Sequence, residues 1–263
     1  MAADPLPLSV AIITKNEEER LADCLASVAF ATEVVVVDSG SSDRTVEIAR
    51  AFGAVVYEEP WLGFGRQKQL TIDRCSQPWV LVLDADERVT PELAAEIRAV
   101  LAGAPTATAW SMPRKNLFCG RWLKHAGWWP DRVVRLFRRG SARMSDRLVH
   151  EALEVDGAVA ELSGALLHLT TQSLSQRLEK VNAYSTASAA ELFAKGEEAS
   201  AFKAFCRAGW SFCYNYIFRG GFLDGGEGAI MAVADSMDVF FKYSKLRELQ
   251  KGKSATGSSG VSP

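Results

Sequence analysis

Two aspartates one residue apart, Asp84 and Asp86, close the run Trp79-Val-Leu-Val-Leu-Asp-Ala-Asp-Glu-Arg88. The five apolar residues, with Val80 and Val82 β-branched, read as a buried strand that ends at a wet edge. Side chains alternate along a strand, so carboxylates at i and i+2 lean to one face. Such a pair suits a hard divalent cation. Magnesium typically takes one or two protein carboxylates and leaves its other positions to water and substrate phosphates, so the pattern points to Mg²⁺ or Mn²⁺ beside a nucleotide diphosphate. A strand that merely ends in solvated acids looks the same in isolation, and the surrounding elements separate the two.

Those elements come in a regular order. Leu8 to Thr14 is a strand by composition, and Lys15-Asn-Glu-Glu-Glu19 opens a predicted helix through Leu21 and Leu25, with acids at the positive end of the helix dipole. Glu33-Val-Val-Val-Val-Asp38 is a second strand that also ends on a carboxylate. A helix is predicted over Asp43–Phe52, capped by Ser42 and ended by Gly53. Ala54–Tyr57 is a third strand, a helix covers about Gln67–Cys75, and the Trp79–Leu83 strand follows. Alternating strands and helices make βαβ units and a mainly parallel sheet, whose ligands sit beyond the carboxyl ends of the strands. Thr14, Asp38 and Asp84 all fall there.

Thr90-Pro91 caps a further helix to about Leu101. The chain then changes character: segments 107–112, 132–137 and 152–155 read as antiparallel strands, with Asp156-Gly157 a turn. From Ser173 it turns helical, in three runs at about 173–194, 201–218 and 226–249, and residues 251–263 read as a flexible tail. The expected organisation is a first half at 1–105, a second half of the same domain at 106–170, a helical region at 171–250 and the tail.

The 263 residues carry a formal net charge of -2, which gives no global sign of nucleic-acid binding. Five cysteines form no C-x-x-C pair and the three histidines no zinc spacing, so reduced thiols in a cytoplasmic protein are expected. The N-terminal residues have no basic, then apolar, secretory pattern, and no apolar run of about 18 residues would span a bilayer.

Taken together, Val10-Ala-Ile-Ile-Thr14-Lys-Asn16-Glu17, Val35-Val-Val-Asp38-Ser-Gly-Ser-Ser-Asp43-Arg-Thr and Leu83-Asp84-Ala-Asp86-Glu87 resemble the family 2 glycosyltransferases of GT-A fold. The motifs stand in that family's order and at its spacing over roughly the first ninety residues. Trp129-Pro-Asp131, Arg135-Leu-Phe-Arg-Arg139, Val149-His150-Glu151 and Gly221-Phe-Leu-Asp-Gly225 resemble more closely the lipopolysaccharide inner-core glucosyltransferase branch. The resemblance implies an α/β, Rossmann-like, mainly parallel sheet with an antiparallel acceptor subregion and a C-terminal helical extension, 1–105 being the nucleotide-sugar-binding half and 106–170 the acceptor-binding half. It implies an inverting, metal-dependent transfer of a hexose, glucose from UDP-glucose, to a lipid-linked saccharide, the heptose of the inner core. A non-catalytic nucleotide-sugar-binding module, or transfer to another envelope or protein acceptor, is the alternative. D-x-D also opens haloacid-dehalogenase phosphatases, but those carry Thr or Val where this chain has Arg88.

The same resemblance places the donor nucleotide against Thr14, Asn16, Glu17 and Asp38, although an Asp in that position also serves as a turn cap. Arg66 and Lys68, after the glycines of Gly63-Phe-Gly65, are expected at the donor diphosphate or on a solvated basic face. Asp86 is expected to ligate the metal directly, Asp84 to ligate it or lie near the ribose, and His150 to contact metal or phosphate. Inversion needs a base for the incoming hydroxyl. Glu151 is favoured over Asp131. Trp128 and Trp129 offer flat faces to a sugar ring and Arg135 is expected at the acceptor, while His125 and His168 are read as structural. Phe202, Phe205, Gly209, Phe212 and Tyr216 share a helical face, with Lys203 and Arg207 on another. That amphipathic pattern fits peripheral attachment to the cytoplasmic leaflet of the inner membrane, or packing against the sheet or in a homodimer.

Overall fold

The structure is a computed structural model that describes residues 6–103, 105–145, 152–171 and 173–257. Its elements are β1 (Leu6–Thr14), α1 (Leu21–Ser27), β2 (Ala31–Asp38), α2 (Thr45–Ala51), β3 (Val55–Glu58), α3 (Phe64–Asp73), β4 (Trp79–Asp84), β5 (Glu87–Val89), α4 (Pro91–Ala102), β6 (Ala109–Phe118), β7 (Arg121–Trp122), β8 (Asp131–Arg138), β9 (Ala142–Met144), β10 (Leu153–Val155), β11 (Val159–Glu161), β12 (Leu166–Thr171), α5 (Leu174–Ala194), α6 (Ala201–Cys213) and α7 (Gly225–Gly257). They form two compact units. Unit 1 runs to Asn116 and resumes over Pro130–Thr170; unit 2 is Leu117–Trp129 together with the chain from Thr171. The expected acceptor half at 106–170 therefore loses residues 117–129 to the helical unit.

The sheet order is β3-β2-β1-β4-β8-β6-β12-β5. The first four strands are parallel, as their alternation with helices predicts, and β4–β8, β8–β6 and β12–β5 are antiparallel. Odd and even residues of the Val-rich strands enter opposite faces. Val10, Ile12, Val36, Leu81 and Leu83 join Leu21, Leu25, Leu93 and Ile97 in one core, whereas Ala11, Val35, Val80 and Val82 meet Ile72, Cys75 and Phe137 in another. Each fully buried Val, Leu or Ile contributes roughly 1.5–3 kcal/mol, so the sheet has a strong reason to keep this register. That register sets Thr14 opposite Asp38 and Ile13 opposite Asp84. Asp38 and Asp84 thus end the two strands that flank β1, within one residue of the same level.

Several helix ends differ from the sequence reading. The first helix begins at Leu21, not at residue 15, because Asn16 takes a left-handed conformation (φ 54°) and its side-chain oxygen accepts from the Ser42 amide at 2.8 Å. α2 likewise starts at Thr45, whose amide is taken by Asp43 at 3.0 Å. α3 starts earlier than expected, at Phe64, directly after Gly63 at φ 93°. Thr90 caps α4 as predicted, its hydroxyl accepting from the Leu93 amide.

In unit 2 the caps at Ser173 and Ser200 accept from Gln176 and Lys203 amides. α6 passes into a π-helical turn, Tyr214–Phe218, and a 3-10 turn, Gly221–Asp224. α7 continues to Gly257, beyond residue 251 where a tail was expected. Buried Asp224 accepts from the amides of Lys124 and His125 and lies 3.0 Å from His125 Nδ1, which ties the 121–125 segment to the 3-10 turn. His125, read as structural, makes this contact within unit 2. Among the described residues no helix is long and apolar enough to cross a membrane.

Candidate active site

The Asp84–Glu87 turn at the carboxyl end of β4 is the centre of the site, and it is closed by its own acids. Glu87, fully buried, folds back so that Oε2 accepts from the Asp84 amide at 3.1 Å. Its Oε1 receives Arg135 Nη2 at 2.7 Å and Arg114 Nη1 at 3.2 Å. Asp84 binds Lys68 Nζ through Oδ1 at 2.8 Å and Arg135 Nη2 through Oδ2 at 2.7 Å. Burial works against ionisation of Asp84, but the adjacent Lys68 and Arg135 outweigh it and hold the carboxyl well below the usual range. Burial likewise opposes the charge on Arg135, and Glu87 and Asp84 reverse that, raising its pKa.

Asp84 therefore adds stability that is complete above the ordinary carboxylate pKa, about 3.9, and disappears as pH falls through its lower folded value. The resistance of unit 1 to urea unfolding is expected to fall on acidification below about pH 4. Asp84→Asn should flatten that part of the acid limb; an unchanged limb would show that Asp84 is not responsible.

A second chain of contacts runs from Asp131 to Asp86. Arg114 clamps Asp131 Oδ2 through Nε and Nη2 at 2.9 and 2.7 Å, and Asn116 Nδ2 reaches the same oxygen at 3.3 Å. Asn116 Oδ1 lies 2.6 Å from His168 Nδ1, and His168 Nε2 lies 3.5 Å from Asp86 Oδ2. His168 is thus no remote structural histidine. It stands between the second aspartate of the D-x-D and the Asn116–Asp131 pair. Arg114, Asn116 and Glu87 had no assigned role in the sequence.

At the neighbouring strand ends, Asp38 is 1 % exposed and both its oxygens are occupied by the chain itself. Oδ1 accepts from the Gly40 and Ser41 amides, Oδ2 from the Thr14 and Ser41 hydroxyls. Asp38 is a turn cap in this structure. Buried Ser39 Oγ, beside it, has no hydrogen-bond partner among the described residues. Asn16 and Glu17 are held by their backbone amides to the Ser41 and Thr45 hydroxyls, both at 2.8 Å.

Other expectations are redistributed. Lys68, read as a diphosphate ligand or part of a solvated face, is buried against Asp84, while Arg66 is exposed. Arg135, expected at the acceptor, is buried and committed to Asp84 and Glu87, because β8 turns it inward beside Leu136 and Phe137. Trp128 packs against Phe118, Leu123 and Met231 in unit 2, and Trp129 is half-buried. His150 and Glu151 lie outside the described residues.

The donor set decides how a metal would fit. Among the described residues no three His, Cys, Asp or Glu side chains are grouped to hold an ion by themselves. Asp84 is paired with two cations. Asp86 and His168 lie 3.5 Å apart, and a two-ligand pair suits Mg²⁺ or Mn²⁺ that draws its other ligands from phosphate and water.

The family model for glycosyl transferase family 2 matches residues 9–148. A lipopolysaccharide core biosynthesis glycosyltransferase, LpsC of Rhizobium meliloti, is 31 % identical over 92 % of this chain and 92 % of its own. An uncharacterized glycosyltransferase of Rickettsia typhi is 32 % identical over 92 % of this chain and 87 % of its own. Among solved structures, Staphylococcus aureus TarS 1-349 aligns with TM-score 0.48 at 15 % identity, covering 93 % of this chain and 91 % of that one.

Proposed function

The chain belongs to glycosyl transferase family 2, and from that premise we propose that it moves a hexose, glucose from UDP-glucose, onto a lipid-linked saccharide of the lipopolysaccharide core at the cytoplasmic leaflet. The observation that carries this reading is the meeting of Asp86, His168, Asn116 and Asp131 beyond the carboxyl ends of the sheet, next to the Thr14–Asp38 turn. The core acceptor is supported by the likeness to LpsC, a lipopolysaccharide core biosynthesis glycosyltransferase.

In this reading the nucleotide lies against Thr14, Ser39 and the 38–42 turn, whose buried hydroxyl Oγ of Ser39 is left for a ligand. Arg66 faces the diphosphate. Asp86 and His168 would hold the divalent cation, which supplies Lewis-acid stabilisation of the charge that grows on the departing UDP. The Lys68–Asp84–Arg135–Glu87 group binds no substrate; it fixes the turn that aims Asp86.

The base is Asp131 or Glu151. Asp131 is held through Oδ2 by Arg114 and Asn116, and Oδ1 makes no bond to another described residue, so it has an oxygen to offer an acceptor hydroxyl. Removing a general base usually costs about 10²–10⁴ in rate. Of Asp131→Asn and Glu151→Gln, one is expected to lose that much transfer while still binding UDP in the presence of Mn²⁺. Transfer of labelled glucose to delipidated core oligosaccharide measures it, and full activity in both variants would remove the inverting mechanism with a carboxylate base.

A further inference from the structure

Helix α6 is turned inside out. It packs through two of its smallest residues, Ala204 and Ala208, which are buried, and at about 100° per residue the opposite arc carries Phe202, Cys206, Gly209 and Cys213, flanked by Phe205 and Trp210. Phe202 is 78 % exposed, Phe205 66 % and Trp210 60 %. An ordinary surface helix does the reverse, hiding its large apolar side chains and showing polar ones.

The face continues past the helix. Trp210 stacks on Tyr214 and lies against Phe218, with ring centroids 6.1 and 5.9 Å apart, and Ile217, Phe218, Phe222 and Leu223 are all more than half exposed. An apolar groove of about 400 Å³, lined by Phe205, Ala208, Phe212, Met237 and Phe240, opens beside it between α6 and α7. From Ser200 to Leu223 the charged residues are Lys203, Arg207 and Arg219, and no acid interrupts them. Arg207 and Arg219 are exposed; Lys203 is half-buried and reaches toward Glu197 at 3.7 Å.

The charge pattern selects the occupant. A second copy docked face to face would bring the same three cations against each other with no acid on either side. A bare saccharide has no use for so many apolar rings without polar groups between them. Aromatic rings flanked by Lys and Arg match the boundary of an anionic bilayer, where rings sit at the level of the head groups and cations meet phosphates.

We propose that the face formed by residues 200–223 docks unit 2 onto an anionic lipid bilayer, with Phe202, Trp210 and Phe218 entering the interface and Lys203, Arg207 and Arg219 facing the head-group phosphates. It rests on the lipid-linked acceptor reading for its purpose only; the contact itself needs no sugar.

The full chain is mixed with vesicles of equal parts phosphatidylglycerol and phosphatidylcholine, and with phosphatidylcholine vesicles alone. Binding to the first is expected to weaken as salt is raised, with little binding to the second. Phe202→Ser with Phe218→Ser, and separately Lys203→Glu with Arg207→Glu, should each lower vesicle affinity about tenfold or more while UDP release from UDP-glucose is unchanged. Exposed Cys206 should be shielded from a water-soluble maleimide by anionic vesicles, whereas exposed Cys119 reacts at the same rate with or without them.

Equal binding of both double variants, or free labelling of Cys206 at saturating lipid, would overturn the proposal. Shielding of Cys206 without lipid, together with a concentration-dependent dimer, would assign the face to a second copy instead. Loss of UDP release with vesicle binding intact would remove the transferase reading and leave this one standing.

Discussion

Arg135→Met is expected to lower the unfolding free energy of unit 1 by roughly 3–5 kcal/mol, the usual cost of removing one partner from a buried ion group. Glu87 has no exposed surface, and in the variant only Arg114, at 3.2 Å, would remain beside its Oε1. Asp84 would keep Lys68 alone. Methionine fills much of the vacated volume, so the cost reports charge rather than a cavity. Urea titration followed by the fluorescence of Trp79 and Trp110, whose rings meet at 5.4 Å inside unit 1, measures it. Adding Glu87→Gln to Arg135→Met should recover part of the loss, since the acid left behind is then neutral. A loss below about 1 kcal/mol in the single variant would mean that the group is relaxed or hydrated, not a dry support for the turn.

Asp86→Ala carries the largest expected effect on transfer. If Asp86 and His168 share a cation on the donor diphosphate, its loss should cost about 3–4 kcal/mol of transition-state stabilisation, a fall of roughly 10²–10³ in kcat. The fold should survive, because Asp86 is outside the Lys68–Asp84–Arg135–Glu87 group. The variant is assayed for transfer and for UDP affinity with and without Mn²⁺. A metal-dependent tightening of UDP should be present in the parent protein and lost in Asp86→Ala. Unimpaired transfer in the variant would remove Asp86 as a metal ligand and move the cation elsewhere.

The parallel half of unit 1 was legible in the sequence because its rules are local. Strands of alternating Val and Leu, each followed by a helix within a short distance, fix both the parallel order and the level at which Thr14, Asp38 and Asp84 end. The other half of the site was not legible. Asp131 was a candidate, but Arg114, Asn116 and His168, which gather around it, come from β6 and β12, whose pairing is long-range and whose register no local signal specifies. One clue was present for Arg135. A cation between Val134 and Leu136 in an apolar strand needs a buried partner, and Glu87 was the unassigned acid nearest the D-x-D. The helix starts at Lys15 and Asp43 were misplaced for a different reason: Asn16 and Asp43 use their side chains to satisfy the turn between the first two strands, so the α-helices begin only after that turn is complete.

Lys68, Arg114 and Arg135 stand against Asp84, Glu87 and Asp131, so positive and negative members of the cluster are equal in number. Such a group projects almost no field beyond itself. It works as a cross-brace, joining α3, the β4–β5 turn, β6 and β8 at one point while its own charges cancel. In the proposed reading a doubly negative pyrophosphate gains no attraction from this group, so the positive charge that meets it has to come from Arg66 and from the dication that accompanies it.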